Sequence, residues 1–182
     1  MGFQLSALIV QGDHASDPRG IMESLGFPEG VRAGTVSFVE AVSPQPFTRT
    51  IGSNGEWTMI TDSMPFVSYS RTAPVGSLWN HEVAQFLRDG SRGGHRSFGF
   101  VMSRLSSNYG FSLYQDGAHV RSLLAQMGNI LVSEGKPLAA EDEVAKTGNK
   151  ELALFRLMEE LEIPFHAFES VRFHYLAYER SD

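Results

Sequence analysis

The stretch 97–134 narrows the possible folds more than any other part of this 182-residue chain. Phe98, Phe100 and Met102 recur at every second position, the period of a strand, and 109–114 reads as a second strand. Asp116-Gly117 then supplies a two-residue hairpin turn, and 118–126 returns with Val120 and Leu124. Gly128-Asn129 is expected to turn the chain again before a fourth strand at 130–133. Strands joined by such short turns run antiparallel to their neighbours, and no crossover helix fits between them. A parallel doubly wound fold is therefore excluded. The expectation is α+β: a mainly antiparallel sheet with a meander at 97–134 and about three helices packed on one face.

The remaining segments fit that plan. Residues 3–10 are short and apolar, as a buried strand is. Asp17 is placed to cap a helix that Pro18 opens, with Ile21, Met22 and Leu25 on one side and Gly26 as its stop. Strands are expected at 35–42 and 56–61, the second after the Asn54-Gly55 turn, with a short edge piece at 66–69. Trp79, Val83, Phe86 and Leu87 make the stripe of a helix over 78–89 that Ser77 would cap. A later helix over 150–163, with Asn149 as cap, presents Leu154, Phe155, Met158 and Leu161 and stops before Pro164. A last strand is expected over 170–178. No linker divides the chain, so the expectation is one globular domain over 1–182.

Composition removes whole classes of chemistry. The chain has no cysteine, which excludes disulfides, thiol catalysis and thiolate-held zinc. Its net charge of −6 provides no general attraction to nucleic acid or to anionic membrane, so a nucleic-acid role is not expected. No run of apolar residues is long enough to span a bilayer, and the start of the chain reads as a strand instead of a secretion signal. A cytoplasmic location is the expectation that follows.

Two loops hold the candidate site residues. Asp13, His14 and Asp17 place two carboxylates and an imidazole between the first strand and the first helix, as a metal site or an acid–base pair needs. Turn and cap chemistry explains the same residues without any ligand. The loop GSRGGHR, residues 90–96, offers converging backbone amides with Arg92, His95 and Arg96, a composition suited to an anion. It matches neither the P-loop nor the dinucleotide pattern, and a loop after a helix end has that composition for ordinary reasons. His81-Glu82 lacks the second histidine of a zinc-protease helix, and no serine sits in a G-x-S-x-G frame. No metal and no cofactor is expected. Trp57, Trp79, Tyr109, Phe111 and Tyr114 are expected in the core, and the runs 141–143 and 159–160 on solvated surface.

Residues 109–138 read YGFSLYQDGAHVRSLLAQMGNILVSEGKPL. The stretch resembles one in a family of uncharacterised bacterial domains, which joins an aromatic strand and a D-G turn to V-R-S-L, a short turn and G-x-P-L. Here these are Tyr114, Asp116-Gly117, Val120-Arg121-Ser122-Leu123 and Gly135-Lys136-Pro137-Leu138. The family carries no activity, so the resemblance implies a fold and no catalytic residue.

Two functions follow as expectations. The first is a non-enzymatic binding or protein-interaction domain, of accessory or immunity type, that grips a protein partner or a second copy by a sheet face or edge. The alternative is a metal-dependent hydrolase or other small-ligand enzyme built on Asp13, His14 and Asp17 with help from Arg92 or His95. It requires the loops 12–17 and 90–96 to meet in space.

Overall fold

In the computed structural model the described residues are 4–25, 31–45, 48–62, 78–103, 107–141 and 150–177. Nine strands among them form one sheet, antiparallel at every pairing. In chain order they are β1 Gln4–Gln11, β2 Val31–Val36, β3 Thr48–Ser53, β4 Trp57–Asp62, β5 Arg96–Ser103, β6 Asn108–Gln115, β7 Ala118–Gln126, β8 Asn129–Gly135 and β9 Phe173–Ala177. Across the sheet the order is β2-β9-β3-β4-β1-β5-β6-β7-β8. The expected meander is present as four consecutive neighbours, β5 to β8, each with slightly different bounds or the same ones.

The central strand β1 explains how the layers are arranged. It is buried on both faces, so residues 7–10 form an unbroken apolar run that does not alternate. Leu5, Ala7 and Ile9 point into one core with Phe98, Phe100, Phe111, Phe168 and Phe173. Leu8 and Val10 point into a second core with Ile60, Trp79, Val83 and Leu87. Helices therefore cover both faces, not one as the sequence suggests. Helices α1 (Pro18–Ser24) and α3 (His81–Gly90) pack on the second core. Helices α2 (Phe38–Ala41) and α4 (Lys150–Glu160), with a 3-10 turn at Phe165–Phe168, pack on the first.

Several boundaries depart from the sequence pattern for local reasons. The strand expected over 35–42 ends at Val36, because Ser37 and Glu40 form a capping box: Ser37 Oγ accepts from Glu40 N–H while the Glu40 carboxylate accepts from Ser37 N–H. Helix α3 starts at His81, three residues late, because Asn80 Oδ1 caps Val83 N–H at 2.8 Å and Leu78 and Trp79 are already sunk in the core. Helix α4 stops at Glu160, and Glu162 at φ 55° turns the chain ahead of Pro164. Strand β3, TRTIGS, carries one large apolar residue, and the sequence does not reveal it. The expected piece at 66–69 and the caps Ser77 and Asn149 lie outside the described residues.

Two of the meander's three hairpins, β6–β7 and β7–β8, turn on left-handed residue pairs. Asp116 and Gly117 have φ of 50° and 75°, the two-residue turn that Asp-Gly specifies. The next turn is not Gly128-Asn129. Its left-handed pair is Met127 and Gly128, at φ 49° and 84°, and Asn129 already pairs with Gln126.

Candidate functional site

Asp13, His14 and Asp17 follow the end of β1. Each has local work. His14 N–H donates to Thr58 Oγ1 at 2.8 Å, and its ring Nε2 lies 3.2 Å from the Gln11 carbonyl. Asp13 Oδ1 accepts from Ala15 N–H at 3.3 Å, an Asx turn, and Asp17 Oδ1 accepts from Gly20 N–H at 3.0 Å as the α1 cap. All three are exposed around a shallow depression that Ser16 and Ser24 also line. Among the described residues no group of three or more His, Cys, Asp or Glu is placed to hold a metal ion.

The loop after α3 lies at the same end of the sheet, because Val10 pairs with Ser97 and Gln11 Oε1 accepts from Arg96 N–H at 3.1 Å. The side chains diverge from there. Arg96 reaches the far end of α4, donating to the Leu161 carbonyl at 2.9 Å with Glu162 Oε2 at 3.4 Å. Asp17 belongs to α1, on the opposite face. Arg92 pairs with Asp89 at 3.0 Å. Three hydrogen bonds tie the loop to the neighbouring hairpin. Gly94 N–H donates to Asp116 Oδ1 at 3.1 Å, Gly117 N–H to Ser91 Oγ at 3.0 Å, and Asp116 N–H to the His95 carbonyl at 3.0 Å. Ser91, Gly94 and His95 thus build a corner that braces the β6–β7 turn.

The sequence reading passes over a polar set on β6 and β7. Ser112 pairs across the strands with Ser122, Oγ to Oγ 2.5 Å, and Ser122 Oγ lies 2.7 Å from His119 Nε2. The His119 ring stands edge-on to Tyr114 at 5.2 Å. Both serines and the tyrosine are buried. Burial pushes the His119 pKa below the usual imidazole value; Glu134 pulls it up, and Arg88 and Arg121 push it further down. Burial likewise raises the Tyr114 phenol. A serine beside a neutral imidazole is the start of a nucleophile–base pair, but Ser122 is 3% exposed and its hydroxyl lies between Ser112 and His119. The set satisfies buried hydroxyls. It makes a pH prediction. The unfolded chain binds a proton at His119 before the folded one does, so stability is expected to fall as pH drops below about 6.5. Denaturant midpoints compared at neutral and mildly acid pH should show a smaller drop in His119→Gln than in the parent.

Glu141, expected on solvated surface, is instead paired with Arg121, which is 2% exposed. Of the aromatic residues, Trp79, Phe111 and Tyr114 are buried as expected, while Trp57 and Tyr109 are half-buried.

The feature with the clearest outward character is the β7–β8 hairpin. Among the described residues five large apolar side chains stand exposed, and three of them are here: Met127 at 76%, Ile130 at 66% and Leu131 at 54%. Leu131 is the extra residue of a bulge between the Ala125–Ile130 and Leu124–Val132 pairs. Among the described residues strand β8 ends the sheet. The available sequence signal was Met127 itself, an apolar residue directly before the turn glycine. Compared with models of known protein families, with curated proteins and with solved structures, the chain matches none.

Proposed function

We propose that this chain is a non-catalytic protein-binding domain and that its partner docks along β8 and the β7–β8 turn. The observation that carries this reading is the grouping of Met127, Ile130 and Leu131 on one terminal hairpin. An edge strand presents unpaired N–H and C=O groups, and a partner strand can add to it with exposed apolar side chains supplying grip. Met127 supports the reading further. It occupies a left-handed turn position that Asn, Asp or Gly adopts at lower cost, and an apolar side chain there is 76% exposed. A residue that is poor for the turn and poor for solubility fits a surface kept for contact.

The metal-dependent alternative depends on Asp13, His14 and Asp17, and no observation favours it over their turn and cap roles.

The test sets stability against binding. Met127→Asn is expected to stabilise the fold by a few tenths of a kcal/mol while weakening partner or self-association at least tenfold. Size-exclusion chromatography with light scattering and capture on immobilised chain, run on both proteins, read the two effects. A variant carrying Met127→Asn, Ile130→Lys and Leu131→Ser that retains the parent's association would sink the reading.

A further inference from the structure

On the face covered by α2 and α4, a cleft of about 430 Å³ opens between α2 and strands β3 and β9, a volume typical of small-ligand sites. Val36, Val39 and Pro44 give it apolar walls. Its polar floor comes from Thr48 and Thr50 of β3, both buried, and Tyr175 of β9, which pairs directly with Thr50. Glu40 of α2 stands at the mouth, with exposed Ser43 and Gln45 beside it.

Counting hydroxyl protons fixes what the floor can offer. Thr61 Oγ1 donates its proton to the Ala41 carbonyl at 2.7 Å, so in the 2.8 Å contact between Thr50 and Thr61 the donor is Thr50. Thr48 Oγ1 gives its proton to the Gln45 carbonyl at 2.5 Å. Both threonines therefore have lone pairs left and no proton. The Glu40 carboxylate uses Oε2 for the Ser37 amide and hydroxyl, at 2.8 and 2.6 Å, which leaves Oε1 as a further acceptor. Those Ser37 hydrogen bonds, with the charge of Arg172 adding, hold Glu40 ionised. The site is thus two acceptor oxygens at the floor, a carboxylate at the mouth, an aromatic ring and an apolar wall.

From this juxtaposition of Thr48, Thr50, Glu40 and Tyr175 in one cleft, we propose a binding site for a primary alkylammonium group. Such a group carries three N–H donors and no acceptor, matching the three acceptors, and its charge suits both the carboxylate and the tyrosine ring. The alkyl chain lies against Val36 and Val39. The chain's net charge of −6 adds a general attraction for cations. The site is on a different part of the sheet from β8, so it stands apart from the protein-binding reading.

The test is ligand-observed NMR titration of the full chain with n-pentylammonium, and with 1-pentanol and pentanoate as neutral and anionic counterparts. Binding is expected for the ammonium alone. Nα-acetyl-lysine methylamide in parallel distinguishes sources: tighter binding than pentylammonium assigns the site to a peptide lysine, and weaker binding assigns it to a free amine. Glu40→Gln keeps a capping-box side chain and is expected to weaken binding about tenfold, as loss of a charge-assisted hydrogen bond does. Thr50→Val is expected to abolish binding; if it fails to fold, Glu40→Gln and the pentanol control still decide. Pentanol bound as tightly as pentylammonium, unchanged affinity in Glu40→Gln, or no saturable binding by about 10 mM ammonium overturns the proposal.

Discussion

Phe98→Ala is expected to destabilise the fold by about 3–5 kcal/mol, the range for removing a fully buried aromatic side chain. The residue is 0% exposed on β5, the strand of the meander that pairs with β1. Its ring stacks on Phe111 at 5.6 Å and 13° and leans on Phe100 at 6.3 Å. No neighbour can collapse into the space, because the sheet fixes the backbones on both sides. A loss of that size is a large part of the roughly 5–15 kcal/mol that holds an ordinary domain together. Thermal unfolding should show a midpoint lowered by about 6–20 °C. Ile130→Ser, at a position 66% exposed, should shift stability by no more than about 0.5 kcal/mol. Equal losses in the two variants would mean that the core is not where these residues place it.

Phe98 also shows what was legible in the sequence. A residue in period-2 company between turn signals could be assigned to a strand, and its neighbours in the hairpins followed from loop length alone. The same logic failed at Val36, where the capping box of Ser37 and Glu40 outweighed the apolar run and converted the end of the expected strand to α2. It failed at β3 because Thr48 and Thr50 are buried by tertiary pairing with β4 and β9, and no local pattern announces that. It failed on the layering because alternation along β1 divides two apolar sets between two cores, and a short apolar run looks the same with one covered face or two. The candidate loops were found by residue type. Residue type does not say which amides and carboxylates are already paired, and here Asp116 takes the Gly94 amide and Gln11 the Arg96 amide of the GSRGGHR loop. The β7–β8 hairpin was legible as scaffold but not as surface, since exposure of Ile130 and Leu131 follows from β8 being the last strand.

Beside its ladder with β7, that last strand is braced by a largely buried ion pair, and removing its carboxylate is the second large effect expected. Arg121 Nε and Nη2 hold the Glu141 carboxylate at 2.7 and 2.8 Å, while Nη1 donates to Ser133 Oγ at 3.0 Å and to the Glu134 carbonyl at 3.1 Å. Glu141 Oε1 also accepts from Leu138 N–H at 2.9 Å. Partial burial alone would raise the Glu141 pKa, but the Arg121 and Leu138 hydrogen bonds outweigh it and hold it below the usual carboxylate range. Glu141→Ala leaves the guanidinium, whose side chain is 3% exposed, without its counter-charge, at a cost of about 3–5 kcal/mol. Arg121→Met with Glu141→Ala removes both charges and should be less destabilised than Glu141→Ala alone, since no buried charge is then stranded. Acid has the same sign as the mutation. A folded pKa below the unfolded one stabilises the fold above the unfolded value, and that contribution is lost as pH falls through the folded value. The acid limb of the stability curve should therefore flatten in Glu141→Gln. Because Arg121 ties β8 and the loop behind it to β7, Glu141→Ala should also raise hydrogen exchange at 129–135 ahead of the rest of the sheet, and weaken any association that Met127→Asn weakens. Exchange that rises uniformly across all nine strands would show that the pair supports the whole fold and not the hairpin on which the partner is proposed to dock.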